Sequence, residues 1–179
     1  MSPLEKQFLK AYDEFADPIF RHCYFRVFNR ERAKDLMQET FTKTWEYLNQ
    51  SPITNHESRI TNMRAFLYRV ANNLIIDNSR KKHERSLDQM QEEGFDPGED
   101  TRSRLIGLME AGEVIKMLDK VNPKYRQVIQ MRYLDDLSPK EIAETIGESE
   151  NNVSVRLHRG LKEIREILEY SENLQHENG

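Results

Sequence analysis

The sequence predicts an all-α protein: two small helical domains joined by a flexible acidic linker. Three observations carry this expectation. Glycine and proline are sparse, seven and six in 179 residues, which disfavours a strand-and-turn fold. Apolar residues recur at three- and four-residue spacings on both sides of a central break, the signature of amphipathic helices. The composition, 37% hydrophobic and 32% charged, suits small helical units with wet surfaces better than one deep core. The net charge of −4 is unevenly spread: residues 1–85 carry +4, residues 86–113 carry −6 and residues 114–179 carry −2. A charge block of this kind marks a linker or an interaction segment.

In the first half, Phe8, Tyr12, Phe15 and Ile19 form one apolar face. Asp17-Pro18 predicts a helix restart, with aspartate as a cap and proline in the first turn. Ala33, Leu36, Met37, Thr40, Phe41, Thr44 and Leu48 line one side of a helix from about Glu31 to Asn49. Gln50 to Thr61 is polar and holds Pro52, so it reads as a loop. Met63, Phe66, Leu67, Val70, Ala71, Leu74 and Ile75 mark a long helix running into the basic cluster Arg80, Lys81, Lys82, His83 and Arg85. Ser86 to Ser103, acidic and holding Gly94, Pro97 and Gly98, is the expected linker.

A second helical unit follows. Leu105, Leu108, Met109, Val114 and Leu118 begin it, and Tyr125, Val128, Ile129 and Tyr133 continue it. Ser138-Pro139-Lys140-Glu141 combines a serine cap, proline at the first helical position and glutamate at the third, a strong helix start. Gly147 ends that helix after about two turns, and Ser149 caps another from Glu150 to about Leu168, with Val153, Leu157, Leu161 and Ile164 facing inward. Two helices joined by a short glycine turn form a helix-turn-helix, whose second helix enters the major groove. Its outer side offers Asn151, Asn152, Ser154, Arg156 and Arg159. Asparagine pairs bidentately with adenine and arginine with guanine, while either arginine can instead contact phosphate. A helical hairpin with a solvated polar face is the alternative.

Other classes find little support. Cys23 is the single cysteine, so no internal disulfide can form, and it reads as a small buried hydrophobe. The five histidines show no metal-ligand spacing. Neither a glycine-rich phosphate loop nor a nucleophile–base constellation is visible, so the chain is expected to be no enzyme and to use no cofactor, metal or small-molecule substrate. The sequence shows no signal peptide and no long apolar run, which predicts a soluble cytoplasmic protein without membrane insertion.

Longer motifs add a resemblance. Tyr125-Arg126-Gln127-Val128-Ile129, Arg132-Tyr133-Leu134, Leu137-Ser138-Pro139-Lys140-Glu141-Ile142-Ala143 and the run from Val153 to Leu161 resemble region four of the extracytoplasmic-function (ECF) sigma factors, the minimal branch of the sigma-70 family. The run Ala33 to Phe41 is similar to the part of region two that grips polymerase, and Phe66 to Asp77 to the part that melts and reads the minus-ten element. The resemblance covers about residues 5 to 85 and 105 to 168. It implies a transcription initiation factor that directs core RNA polymerase to promoter DNA. The implied domains are region two over 1–85, the acidic linker over 86–104, region four over 105–170 and a polar tail over 171–179.

The resemblance also implies roles. Asp35, Gln38, Glu39 and Thr42 fall on the face that docks on the clamp helices of the largest polymerase subunit, where carboxylates and amides can pair with arginines. A merely solvated helix face is the other reading. Trp45 reads as core or rim packing. The polymerase flap region is the partner implied for region four. Arg64, Tyr68, Arg69, Asn73, Arg80, Lys81 and Lys82 fall on the minus-ten module, Tyr68 as a stacking surface, the basic residues as phosphate contacts, and Asn73 in a pocket for an extruded base. Asn72 and Asn78 are expected in helix-surface or capping roles. The linker is implied to thread the active-site cleft, with a solvated tether as the alternative. Family members often have a basic residue where Ser154 stands and a small one where Asn151 stands, and Glu150 opens the recognition helix. Phosphate attraction there should be weak, which leaves room for an additional recruiting factor, and an anti-sigma factor is a further implied partner. The competing readings are a helix-turn-helix regulator with an N-terminal sensor and a polymerase-bound adaptor.

Overall fold

The computed structural model describes residues 1–50, 60–85 and 116–177. Six helices are set out: α1 Pro3–Val27, α2 Arg30–Gln50, α3 Met63–Arg85, α4 Pro123–Tyr133, α5 Pro139–Ile146 and α6 Glu150–Glu177. Residues 116–119 form a further helical turn, and no strand occurs among the described residues. The expected linker and the positions Leu105, Leu108, Met109 and Val114 lie outside the described residues, as does most of the expected loop after Gln50. The chain divides into two compact units, one carrying α1–α3 and the other carrying α4, the start of α5 and α6.

The first unit is built around α1, which packs on both α2 and α3. Ser2 opens it with a capping box: its hydroxyl accepts from the Glu5 amide while the Glu5 carboxylate accepts from the Ser2 amide. The expected restart at Asp17-Pro18 does not occur, and α1 runs through Pro18 without a break. An interior proline removes one backbone hydrogen bond and costs about 3 kcal/mol. Burial on both sides of it offsets that cost. Ala11 before it and Ile19, His22 and Cys23 after it are all buried, and a break would pull one of these turns off its partners. The helix ends at Phe28, whose amide donates to the Tyr24 carbonyl at 2.8 Å and whose left-handed backbone (φ 48°) then turns the chain away. Asn29 then caps α2 by accepting from the Arg32 amide at 2.8 Å.

The expected face of α2 is the buried one, with Ala33, Leu36, Thr40, Phe41, Thr44 and Leu48 buried and Met37 half-buried at its edge. The two buried threonines satisfy their hydroxyls within the helix, Thr40 donating to the Leu36 carbonyl at 2.7 Å and Thr44 to the Thr40 carbonyl at 2.8 Å. Aromatic rings seal the seams. Tyr12 meets Phe41 at 4.8 Å between centroids, Phe8 meets Trp45 at 5.0 Å, and Tyr47 meets Phe66 at 4.9 Å. Asn62 caps α3 by accepting from the Ala65 amide at 3.0 Å, and Ala65, Leu67, Tyr68, Ala71, Leu74 and Ile75 are buried.

In the second unit, Leu118, Val121, Val128, Ile129, Met131, Leu137, Ile142, Ala143 and Val153 form the core. Both signals read at α5 hold. Ser138 accepts from the Glu141 amide at 3.2 Å, and Glu141 accepts from the Ser138 amide at 2.9 Å. Gly147 ends α5 with φ +70°, and the next amide, Glu148, donates back to the Ala143 carbonyl at 3.1 Å. Two apolar positions depart from expectation. Tyr133 is exposed because α4 ends there, and Leu161 is exposed because its neighbour Gly160 is the residue turned toward α4. Helix α6 also runs to Glu177, through most of the expected tail. Glu172, Leu174, Gln175 and Glu177 favour its continuation, and no glycine or proline interrupts it before Gly179.

Gly160 marks a close approach of α6 to α4: an added Cβ would lie 3.0 Å from both Tyr125 Cβ and Ile129 Cγ1. Tyr125 Cβ is fixed to its own backbone and cannot swing aside. Gly160→Val should therefore destabilise the chain by about 1–3 kcal/mol through overpacking. An unchanged midpoint in a circular dichroism melt would mean that the two helices do not meet this closely.

Candidate functional site

On α2, Asp35, Gln38, Glu39 and Thr42 follow the i, i+3, i+4, i+7 spacing that places side chains in one stripe, and all four are exposed. Glu39 lies 3.9 Å from Lys43, and Thr42 donates back to the Gln38 carbonyl at 3.0 Å. Asp35 and Glu39 add two exposed carboxylates to the stripe. Beside this stripe runs a groove of about 790 Å³ between α1 and α2, lined by Phe8, Leu9, Tyr12, Gln38, Phe41, Thr42 and Trp45. Sequence reasoning placed Trp45 in packing, which its contact with Phe8 supports, but it missed the groove. The available signal was a surplus of aromatics at positions 8, 12 and 45 over what one helix seam can enclose.

On α3, two neighbouring asparagines take opposite sides. Asn73 is exposed, as a base contact requires, whereas Asn72 is 4% exposed and is not the surface or capping residue expected. Its Oδ1 accepts from Arg26 Nη1 at 3.2 Å, and the same nitrogen lies 3.1 Å from His22 Nε2. Asn78 accepts instead from Arg32, tying α3 to the start of α2. Tyr68 is a clearer correction. It is 1% exposed, with its ring edge-on to His22 at 4.9 Å, so it packs the core and offers no stacking surface. The period of α3 turns Tyr68 inward together with Ala71, Asn72 and Ile75. Arg64 is part-buried, its guanidinium 5.9 Å from the centre of the Tyr68 ring, which orients it along the helix.

Arg69, Asn73 and Arg80 share the outer face of α3, together with Ile76, which is 45% exposed. Their spacing of four, three and four residues makes them one stripe. Sequence reasoning passed over Ile76, although it falls outside the buried period set by Leu74 and Ile75. Lys81 and Lys82 continue α3 by backbone, and their side chains lie outside the described residues.

In the helix-turn-helix, the Ser149 hydroxyl accepts from the Asn152 amide at 3.2 Å and fixes the start of α6. Val153 is fully buried and anchors the helix, and Leu157 is half-buried. Asn151, Asn152, Ser154 and Arg159 are exposed. Arg156 is part-buried and donates from Nη2 to Glu148 Oε1 at 2.6 Å. Val155, missed in the sequence, is also exposed beside Ser154, an apolar side chain of the kind that meets a thymine methyl group. Glu150 favours the helix through its dipole but lowers the positive potential at the end that would approach DNA. Among the described residues, no cluster of His, Cys, Asp or Glu is arranged to hold a metal, and no helix is long and apolar enough to cross a membrane.

Comparison with known proteins gives these features a family. The family model described as Sigma-70 region 2 matches residues 11–85, and that described as Sigma-70, region 4 matches residues 111–164. Among curated relatives, the ECF RNA polymerase sigma factor SigW of Bacillus subtilis is 29% identical, the match covering 90% of this chain and 88% of SigW. The ECF RNA polymerase sigma factor BldN of Streptomyces coelicolor is 27% identical, covering 90% of this chain but 60% of BldN. The ECF RNA polymerase sigma factor SigL of Mycobacterium tuberculosis is also 27% identical, covering 88% of this chain and 86% of SigL. Among solved structures, the sigma factor RpoE of Bartonella quintana, in complex with the anti-sigma factor NepR, shares the fold with a TM-score of 0.68 at 17% identity, over 92% of this chain and 98% of RpoE. CnrH, in complex with the cytosolic domain of CnrY, gives 0.66 at 19% identity, over 93% of this chain and 90% of CnrH. With the two regions matched in order, one on each helical unit, the chain belongs to the sigma-70 family of RNA polymerase sigma factors, in its extracytoplasmic-function branch.

Proposed function

We propose that the two units divide the work of a promoter-directing initiation factor between named surfaces. The first unit docks on core RNA polymerase through Asp35, Gln38, Glu39 and Thr42, with the neighbouring groove giving that polar stripe an apolar centre. The outer face of α3 engages the minus-ten element. Asn73 contacts a base, Arg69 and Arg80 contact phosphates together with Lys81 and Lys82, and Arg64 lies at the margin of this surface. The second unit meets upstream DNA with α6: Asn151, Asn152, Ser154 and Arg156 toward base edges, and Arg159 toward phosphate. The polymerase supplies the chemistry and this chain contributes no catalytic step. It acts in the cytoplasm, and an anti-sigma factor is a further partner, as NepR is for RpoE. The single observation that carries the reading is the segregation of side chains: among the described side chains, each assigned stripe, apart from the inward Tyr68 and the part-buried Arg64 and Arg156, lies on the solvent side of a helix whose opposite side is core.

Docking is tested by reversing charge at Asp35 and Glu39 together. The double lysine variant should lose co-purification with core polymerase while keeping its helical circular dichroism. Retained binding would remove this face from the interface.

The paired asparagines separate melting from stability. Asn73→Ala should stay within about 0.5 kcal/mol of wild type in urea denaturation, since its side chain is exposed. Permanganate footprinting should nevertheless show open-complex formation weakened by about 1–3 kcal/mol, the worth of a base-edge contact. Asn72→Ala should behave in reverse as a folding defect of about 1–3 kcal/mol, because it strips a partner from a part-buried arginine. Normal strand opening by Asn73→Ala would take that residue out of the base pocket.

A further inference from the structure

Glu148 stands in the turn of the helix-turn-helix, between Gly147 and the capping residue Ser149. Nothing in the sequence pattern marks it, and its own amide is engaged in closing α5. Its side chain turns to α6: Oε1 accepts from Arg156 Nη2 at 2.6 Å, a short charge-assisted bond. The two side chains are only 29% and 26% exposed, so water and salt screen the pair less than a surface ion pair. The second carboxylate oxygen, Oε2, is buried and has no hydrogen-bond partner among the described residues. An exposed glutamate on this face could accept from a cytosine amino group. Glu148 has no such freedom, because one oxygen holds Arg156 and the other is shut away from DNA.

We infer that Glu148 is a specificity-determining positioning residue, holding Arg156 so that it reads a base edge in the upstream element instead of swinging to a phosphate. The inference rests on the reading of Arg156 as a base contact. Guanidinium is a planar fork of five N–H donors, and one bond to Glu148 leaves enough of them for a bidentate pair with guanine O6 and N7. A free arginine has many rotamers and a full positive charge, both of which favour the nearest phosphate. Bound to Glu148, it has one dominant direction and little net charge to offer the DNA backbone. Arg156 therefore contributes selectivity more than salt-sensitive affinity.

The test uses holoenzyme assembled from the full chain and core polymerase, selecting promoters from a library randomised upstream, at several salt concentrations. The variants are Arg156→Ala, Glu148→Ala, Glu148→Gln and the double alanine, with circular dichroism melts as the folding control. Glu148→Ala should blur the same position that Arg156→Ala blurs, with base preference there falling about tenfold. It should also steepen the salt dependence by about one unit of slope, since the freed arginine can now displace a counterion. Glu148→Gln keeps an acceptor without charge, so it should retain more base preference than alanine while still steepening the slope. The double variant should select no more loosely than Arg156→Ala alone. If Arg156→Ala blurs the motif while both Glu148 variants keep the wild-type motif and slope, the positioning role is overturned and the reading of Arg156 stands. If Arg156→Ala leaves the motif intact, both fall together. Should Glu148→Ala fail to fold, the near-isosteric Glu148→Gln decides alone, with wild-type slope and preference counting against the role.

Discussion

The continuity of α1 through Pro18 is the constraint on which the first unit depends. Helices α2 and α3 each have one apolar side, and α1 is the element that packs on both. Its turns on either side of the proline carry Ala11, Ile19, His22 and Cys23 into the core. A bend at Asp17 would leave one partner helix without its cover, and an amphipathic helix of this length gains most of its stability from such packing. The backbone bond lost at Pro18 is thus small against what the unbroken helix buries. The last two turns of α1 have a second consequence, since they bring Arg26 to Asn72 and His22 to Tyr68.

That contact determines how α3 is rotated. A helix has one rotational degree of freedom against its neighbours, and a polar tie across the interface fixes it more sharply than apolar packing does. With Asn72 held by Arg26, and Tyr68 turned in against His22, the side chains of Arg69, Asn73, Ile76 and Arg80 must face out. The proposed DNA-contacting stripe is in this sense set from the opposite side of its helix. Asn78, bonded to Arg32 one and a half turns later, holds the same rotation against α2.

Much of this was legible from the residues, and the exceptions share a cause. The start of α5 at Ser138-Pro139, its stop at Gly147 and the cap at Ser149 are local rules, and each is found where the sequence placed it. The buried face of α2 followed from period alone. Pro18, Tyr68, Leu161 and Asn72 did not, because each depends on which neighbour lies opposite, and that is tertiary information. Tyr68 illustrates the difficulty: a tyrosine serves equally as a stacking platform or a core residue, and only the phase of α3 against α1 decides. Gly160 could suggest a close approach, yet nothing in the sequence said that Tyr125 and Ile129 would be its neighbours.

Helix α6 combines the proposed reading surface with little charge to attract DNA. Glu150 opens it, Ser154 is neutral, and Arg156 is matched by Glu148, so Arg159 is the exposed cation of its first three turns. Binding to nucleic acid from free solution draws most of its affinity from phosphate neutralisation, and this surface would be weak by that measure. A sigma factor does not act from free solution. On the proposed docking of the first unit, the second is held near its target by the tether, and effective concentration substitutes for attraction. Under that arrangement extra positive charge would be a disadvantage, since it would strengthen contact with every sequence alike. On the proposed reading, a paired arginine, two asparagines and a serine give up general affinity for discrimination, which suits a domain delivered to DNA by its partner.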